Sequence, residues 1–446
     1  MKRFFLLAVF CTFLTETNAQ ILDAYIEEGL GTNLALKQQK LEIEKSLKAI
    51  DIARSNIFPK ITFAPNYTLA AGGRSIEFPI GDLLNPVYGT LNQLTQSENF
   101  PTVENQDVQF APNNFHETKF TFELPLFNPE IKYNIQLQRD LVQTEEGKRD
   151  LLEYELKYNI EAAYYQYLQS LEAFDIYKNS REFLNQYLDF NQRLVKNQLA
   201  LKDVIYSSEY EINKLDGDLA NAQKNIDKAK AYFNFLINKP FDTPVEVDSL
   251  LLKQLPLAKK IGVLQSDALQ NRPEFSQLKA GMNVNNTVLK LQEKSAKLPS
   301  LYFGGSTGFQ GYGYSFSNQA YAIGQVGLNW DIFHGNEKKH KIQQTEIQGK
   351  ILDVKYLEAE QQIKMQVAQA YIDYGASLKT LEASEKALEN TASLLGIVEK
   401  KYKNADAIYI ELIKAQNDNL IAAQKTSLAK FDIWLKKSVL DKVSAQ

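Results

Sequence analysis

The sequence predicts a mainly helical protein that also builds transmembrane β structure, and three observations carry that reading. All thirteen prolines fall between Pro59 and Pro129 or between Pro240 and Pro299, so two long stretches have none. Four segments of about ten residues alternate apolar and polar side chains, the period of a strand. The two halves of the chain also repeat one another, which makes the repeat the unit of the fold.

Composition sets the outer limits. Hydrophobic residues at 44% and charged ones at 23% exclude both a disordered chain and a helical membrane protein. A net charge of −4 offers no basic face, so no nucleic-acid partner is expected.

The chain opens with a leader. Lys2 and Arg3 precede the apolar run FFLLAVFCTFL, and small residues end at Ala19, so 1–19 is expected to be a cleaved signal peptide. Cys11 lies inside it, which leaves the mature chain without disulfide or thiol chemistry. Residues 20–239 are expected to form a first repeat: a helix, two strands, a long extracellular loop at 70–117, and a helical hairpin at 130–239. In KITFAPNYTLA, Ile61, Phe63, Tyr67 and Leu69 alternate with Thr62, Ala64, Asn66 and Thr68; in KFTFELPLF, Phe120, Phe122 and Leu124 alternate with Thr121, Glu123 and Pro125.

The proline-free stretches then take a helical period. Leu156, Ile160, Ala163, Tyr167, Phe174, Tyr177 and Leu184 step by fours, threes and sevens, as do Ile363, Val367, Ala370, Tyr374, Leu378, Leu381 and Leu388. A helix from Pro129 to Lys196 would reach roughly 100 Å, longer than an ordinary domain is wide, so a bundle or tube is expected. Residues 240–260 read as a connector. Residues 261–446 read as the second repeat: a helix, two strands at 299–333, and a helical hairpin at 336–446. The offset between halves falls from 240 at Pro59 and Pro299 to 206 at Phe127 and Phe333, so the first hairpin holds 34 extra residues.

Four such strands suggest an outer-membrane barrel but cannot close one. An open edge in hydrocarbon leaves backbone groups unpaired, so several chains must share eight, twelve or sixteen strands. The rival readings are a periplasmic coiled-coil scaffold or adaptor without a channel, which leaves the strands unexplained, and a surface hydrolase, for which no nucleophile–base pair stands out. The glycine-rich GGSTGFQGYGYS lacks a following Gly-Lys-Ser/Thr and reads as strand and turn rather than a phosphate cradle. His334 and His340 read as a polar junction rather than a zinc site, and no cofactor is expected.

Three stretches, ALQNRPE (268–274), KLPSLYFGG (297–305) and YKNADAIYIELIKAQNDNL (402–420), together with the duplication, resemble the TolC-like outer-membrane efflux proteins over essentially the whole mature chain. That resemblance implies a homotrimer with a shared twelve-stranded β-barrel and a periplasmic α-helical tunnel. It implies a passive duct in the outer membrane that joins a periplasmic adaptor and an inner-membrane pump, with outer-membrane lipid around the barrel. Phe127, Asn128, Pro129 and Phe333, His334, Gly335 would then be the strand–helix junctions. Asn197, Gln198, Leu199 and Asn404, Ala405, Asp406 would form adaptor-docking tips, with Gln198 and Ala405 where the family usually carries glycine. Glu411, with Asp203 and Lys414, would lie at the periplasmic gate; a solvated helical surface is the plainer reading of the same residues.

Overall fold

The computed structural model describes residues 21–111, 113–248 and 255–446; the expected signal peptide lies outside them. The chain divides into two compact units. One comprises residues up to Leu47, Asp140–Asn285 and Ile347–Gln446, and the other comprises Lys48–Arg139 and Asn286–Glu346.

Helices α1 (Ile21–Thr32) and α2 (Leu34–Ser55) are joined at Asn33, whose Oδ1 accepts from the Ala35 and Leu36 amides at 2.9 and 3.3 Å. An asparagine there satisfies amides that the first turn of a helix leaves free. The long helices are α4 (Pro129–Lys196, 68 residues) and α8 (Glu337–Lys403, 67 residues). Each turns into a partner, α5 (Asp203–Leu236) and α9 (Tyr409–Ser444). The shorter α6 (Ile261–Asn271) and α7 (Pro273–Lys297) precede the second pair of long strands.

The first unit packs around three clusters. Ile160, Tyr164 and Leu168 of α4 meet Leu22, Leu36 and Phe233; Val367, Ala370 and Tyr374 of α8 meet Leu264, Ala268 and Ile433. The third cluster joins Leu184, Tyr187, Ile212, Tyr402, Tyr409 and Leu412. The helical period assigned these faces. Leu156, Ile160, Ala163, Tyr167, Ile363, Val367, Ala370, Tyr374 and Leu381 are all buried. Each fully buried large side chain among them contributes about 1.5–3 kcal/mol. At the α6–α7 joint, buried Arg272 precedes Pro273, pairs with Glu274 and donates to Gln366 Oε1 of α8 at 2.6 Å.

The second unit carries a four-stranded antiparallel sheet in the order β1 (Lys60–Thr68), β4 (Phe115–Phe127), β5 (Ser300–Tyr312), β6 (Ala320–Asn329). Its register sorts the side chains by face. Thr62, Thr121 and Ser306 share a row, as do Lys60, Glu123 and Gly304, and Ala64, Lys119 and Gly308. The opposite face carries Ile61, Phe63, Phe120, Phe122, Phe303, Val326 and Leu328, with Phe63 on Phe120 at 4.9 Å and Phe122 on Phe303 at 5.2 Å. Glycines make room on that face and the other: a Cβ at Gly305 would meet the Phe122 ring, and one at Gly327 the Tyr302 ring.

Two expectations change here. The segment expected as a loop at 70–117 is folded: β2 (Ser75–Phe78) pairs with β3 (Gln106–Gln109), and α3 (Ile80–Thr95) lies between them. Its Gly, Pro and Asn residues disguised it. Pro86 sits inside the helix, and Asn85 and Asn92 bond the backbone of the returning chain. The strand expected to reach 333 stops at Asn329, because its partner begins at Ser300 and the ladder has nothing more to pair with.

Candidate functional site

The two tips of the helical unit have one geometry. At the end of α4 the Leu199 amide donates to the Leu194 carbonyl (2.8 Å) and the Gln198 amide to Val195 (3.0 Å). At the end of α8 the Asp406 amide donates to Lys401 (2.8 Å) and the Ala405 amide to Tyr402 (3.1 Å). This is the glycine-type helix stop, yet Gln198 (φ 60°) and Ala405 (φ 62°) hold the left-handed position. Glycine is thus absent where its conformation is retained.

Behind the turns, a buried polar chain ties four helices together. The Tyr402 hydroxyl of α8 donates to Asn191 Oδ1 of α4 (2.6 Å), and Asn191 Nδ2 donates to Ser208 Oγ of α5 (3.0 Å). Ser208 has one proton, which the Val204 carbonyl takes at 2.7 Å, so Ser208 Oγ accepts from the Tyr409 hydroxyl of α9 at 2.7 Å. Burial pushes the Tyr402 phenol up to about 12 and raises that of Tyr409. Further from the turn, Gln416 Nε2 donates to Ser180 Oγ (2.8 Å), also buried. Sequence reasoning missed this network. Its members are ordinary polar residues, and only Tyr402, Tyr409 and Gln416 lay in a stretch already singled out.

The tips enclose a cleft of about 1110 Å³, lined in part by Leu199, Asp203, Tyr206, Asn404, Ala405 and Ile408. Its rim is apolar and open: Leu199, Leu201, Tyr206, Tyr210, Ile408 and Ile410 are all exposed. The structure therefore brings Leu199, Asp203, Asn404 and Ala405 to one cleft, while Asn197, Gln198, Asp406, Glu411 and Lys414 do not line it. Glu411 and Lys414 are exposed on α9, opposite buried Leu412, Ile413 and Gln416. Neither takes part in an ion pair among the described residues. Asp203 and Glu411 each lie in the first turn of a helix, where a carboxylate is favoured by the helix dipole.

The junctions differ from each other. Phe127 ends β4 and Pro129 starts α4, with Asn128 Oδ1 capping the Glu130 amide at 2.8 Å. Phe333 lies beyond the strand, and Gly335 and Asn336, both with positive φ, turn the chain into α8. His334 sits between Asp331 (3.8 Å) and Glu337 (3.5 Å), three residues away on either side. Among the described residues no group of three His, Cys, Asp or Glu is placed to hold a metal ion.

Comparison with known proteins adds two findings. Residues 264–433 match the outer membrane efflux protein family. Solved structures share the fold. The outer membrane protein VceC of Vibrio cholerae superposes with a TM-score of 0.71 at 12% identity, over 95% of this chain and 95% of its own. The CmeC outer-membrane channel of Campylobacter jejuni gives 0.72 at 12%, over 95% and 85%. The open-state MtrE outer-membrane channel of Neisseria gonorrhoeae gives 0.72 at 16%, over 95% and 88%. No curated protein matches the chain. Fold and sequence point the same way: the chain has the fold of solved outer-membrane channels, and residues 264–433 resemble the outer membrane efflux proteins.

Proposed function

We propose that this chain is one protomer of a trimeric outer-membrane duct for efflux or secretion. Three copies would share a twelve-stranded barrel, and their long helices would form a periplasmic tunnel. The observation that carries the reading is the sheet of the second unit. Among the described residues it has two unpaired edges, β1 and β6, and an exposed apolar face on which Ile61 is 70%, Phe63 55% and Leu328 63% exposed. In water such a surface is a liability; in a bilayer it is the required surface, and the edges are satisfied only by further copies. Among the described residues no helix is long and apolar enough to cross a membrane, which leaves the strands as the spanning elements of this reading.

The two halves of the chain would act as structural repeats, each giving two strands and one helical hairpin to the wall. The apolar cleft at the tips suits a helical adaptor, and energy would come from an inner-membrane pump joined through it. Glu411, Lys414 and Asp203 would ring the closed end of the tunnel, and the chain that links Tyr402, Asn191, Ser208 and Tyr409 would hold the four helices together there. The test is reconstitution of purified protein in a planar bilayer, with its mass in detergent measured alongside. A conducting trimer is expected; a monodisperse monomer that conducts would sink the assembly.

A further inference from the structure

The insertion between β1 and β4 holds a helix whose inner side is pinned by two asparagines and whose outer side carries a row of exposed apolar residues. Asn85 and Asn92, seven residues apart on α3, each make a two-way bond with the returning chain. Asn85 bonds the backbone of Val103 (2.9 and 2.8 Å), and Asn92 that of Phe100 (2.9 and 3.1 Å). Asn105 Oδ1 caps the helix by accepting from the Gly81 (3.0 Å) and Asp82 (3.2 Å) amides. Gly81 is buried on this side against the Val103 carbonyl. The opposite side is left open: Leu83 is 69% exposed, Val87 52% and Leu94 77%.

Those residues form a seam. Leu83, Val87, Thr90 and Leu94 are spaced four, three and four, the spacing by which one helix packs on another, and no charged residue lies among them. Two observations indicate what covers it. Residues 69–74 tether β2 to the end of β1, the open edge of the sheet that a neighbouring copy must pair. From 69 to 114 the insertion carries Arg74 against Glu77, Asp82, Glu98, Glu104 and Asp107, with no lysine, so an anionic headgroup surface would repel it.

We infer that the seam of α3 is a contact between copies of this chain, each α3 packing on the α3 of a neighbour and narrowing the barrel mouth. The contact rests on the shared barrel proposed above. It is placed at the mouth because β1 and β4 meet the insertion at their ends opposite the one that feeds α4.

Cysteine cross-linking tests it. Val87→Cys and Leu94→Cys, each with Cys11→Ser, are compared with the off-seam Gln93→Cys in detergent-purified oligomer oxidised by copper phenanthroline. Severalfold faster formation of covalent dimer at the two seam positions is expected. The double variant Leu83→Ser/Leu94→Ser should raise single-channel conductance severalfold at unchanged oligomer mass. An intact oligomer whose seam positions cross-link no faster than Gln93→Cys, or whose conductance the double variant leaves unchanged, overturns the contact. So does labelling of Val87→Cys by a lipid-soluble thiol probe in that oligomer. A wild-type monomer in detergent would instead defeat the shared barrel itself, and this contact with it.

Discussion

The Tyr402 hydroxyl donates to Asn191 Oδ1 at 2.6 Å across 211 residues of sequence, in a site closed to water. This bond joins the last turn of α8 to α4, and Asn191 passes the link on to Ser208 and Tyr409. A buried polar chain of this kind is costly to break, because each orphaned partner keeps its desolvation penalty.

Tyr402→Phe removes one hydroxyl and leaves Asn191 Oδ1 unpaired at almost unchanged volume. A loss of about 1–3 kcal/mol in the stability of the helical hairpins is expected. It would be measured by denaturant unfolding followed by far-ultraviolet circular dichroism in detergent. If the network also holds the tunnel end closed, the same variant should conduct more than wild type. Full stability together with wild-type conductance would make the bond incidental.

The same tyrosine gives the tips an alkaline limit. Its folded pKa, raised to about 12, lies above the unfolded value near 10. Between those values the unfolded chain binds fewer protons than the folded one, so stability falls as pH rises. The contribution is complete below about pH 10 and is lost as pH passes through about 12. Tyr409, raised in the same direction, adds to the slope. Tyr402→Phe should flatten the fall in unfolding free energy above pH 10, and an unchanged slope would assign the alkaline loss to other groups.

At the tips themselves, Gln198 and Ala405 occupy left-handed backbone positions. A side chain there costs roughly 1–2 kcal/mol, and glycine gives back about 0.5–1 kcal/mol of that through its freer unfolded state. Gln198→Gly and Ala405→Gly should each stabilise by up to about 1 kcal/mol, and Ala405→Val should destabilise. Thermal melts of the three variants check the signs. A destabilising Ala405→Gly would mean that the turn is held by something other than its own helix stop.

How much of this could be read from the sequence depended on what each feature advertises. Missing prolines and the step from Leu156 to Ile160, Ala163 and Tyr167 announce a long helix and its buried face, because both follow from the backbone alone. Alternation at Phe120, Phe122 and Leu124 likewise announces a strand with two unlike faces. The helix α3 was hidden by Pro86 and by asparagines that usually mark loops, although Asn85 and Asn92 lie seven apart on one face. The left-handed turns were hidden because glutamine and alanine do not signal positive φ. Asn191 and Ser208 could not be found at all, since their value arises only when four distant helices meet.

Buried Arg272 offers a test of the joint that opens α7. It reaches Gln366 of α8 with one nitrogen and the Glu274 carboxylate with others, a planar fork that lysine cannot reproduce. Arg272→Ala should cost about 2–3 kcal/mol, less than a fully buried pair because Glu274 is part-exposed. Arg272→Lys should recover little of it. Full recovery by lysine would show that charge alone, and not the fork, secures the joint.

The last prediction concerns Glu411 and Lys414. They stand three residues apart on the exposed side of α9, and neither is engaged in an ion pair among the described residues. If that side lines the closing tunnel, three copies of Glu411 would face one another and attract cations, since like carboxylates brought close hold counterions. Lys414, one turn further along, would oppose that field rather than cancel it by direct pairing. Glu411→Gln should therefore lower cation preference and any divalent block of the reconstituted channel, while Lys414→Ala should raise both. Neither variant should alter unfolding by more than about 0.5 kcal/mol, because both side chains are solvated. The measurement is the reversal potential under a salt gradient, with and without added divalent ion. Should selectivity stay fixed in both variants, Glu411 and Lys414 belong to the outer, solvated face of the tip, and Asp203, which opens on the apolar cleft, becomes the acidic residue to test next.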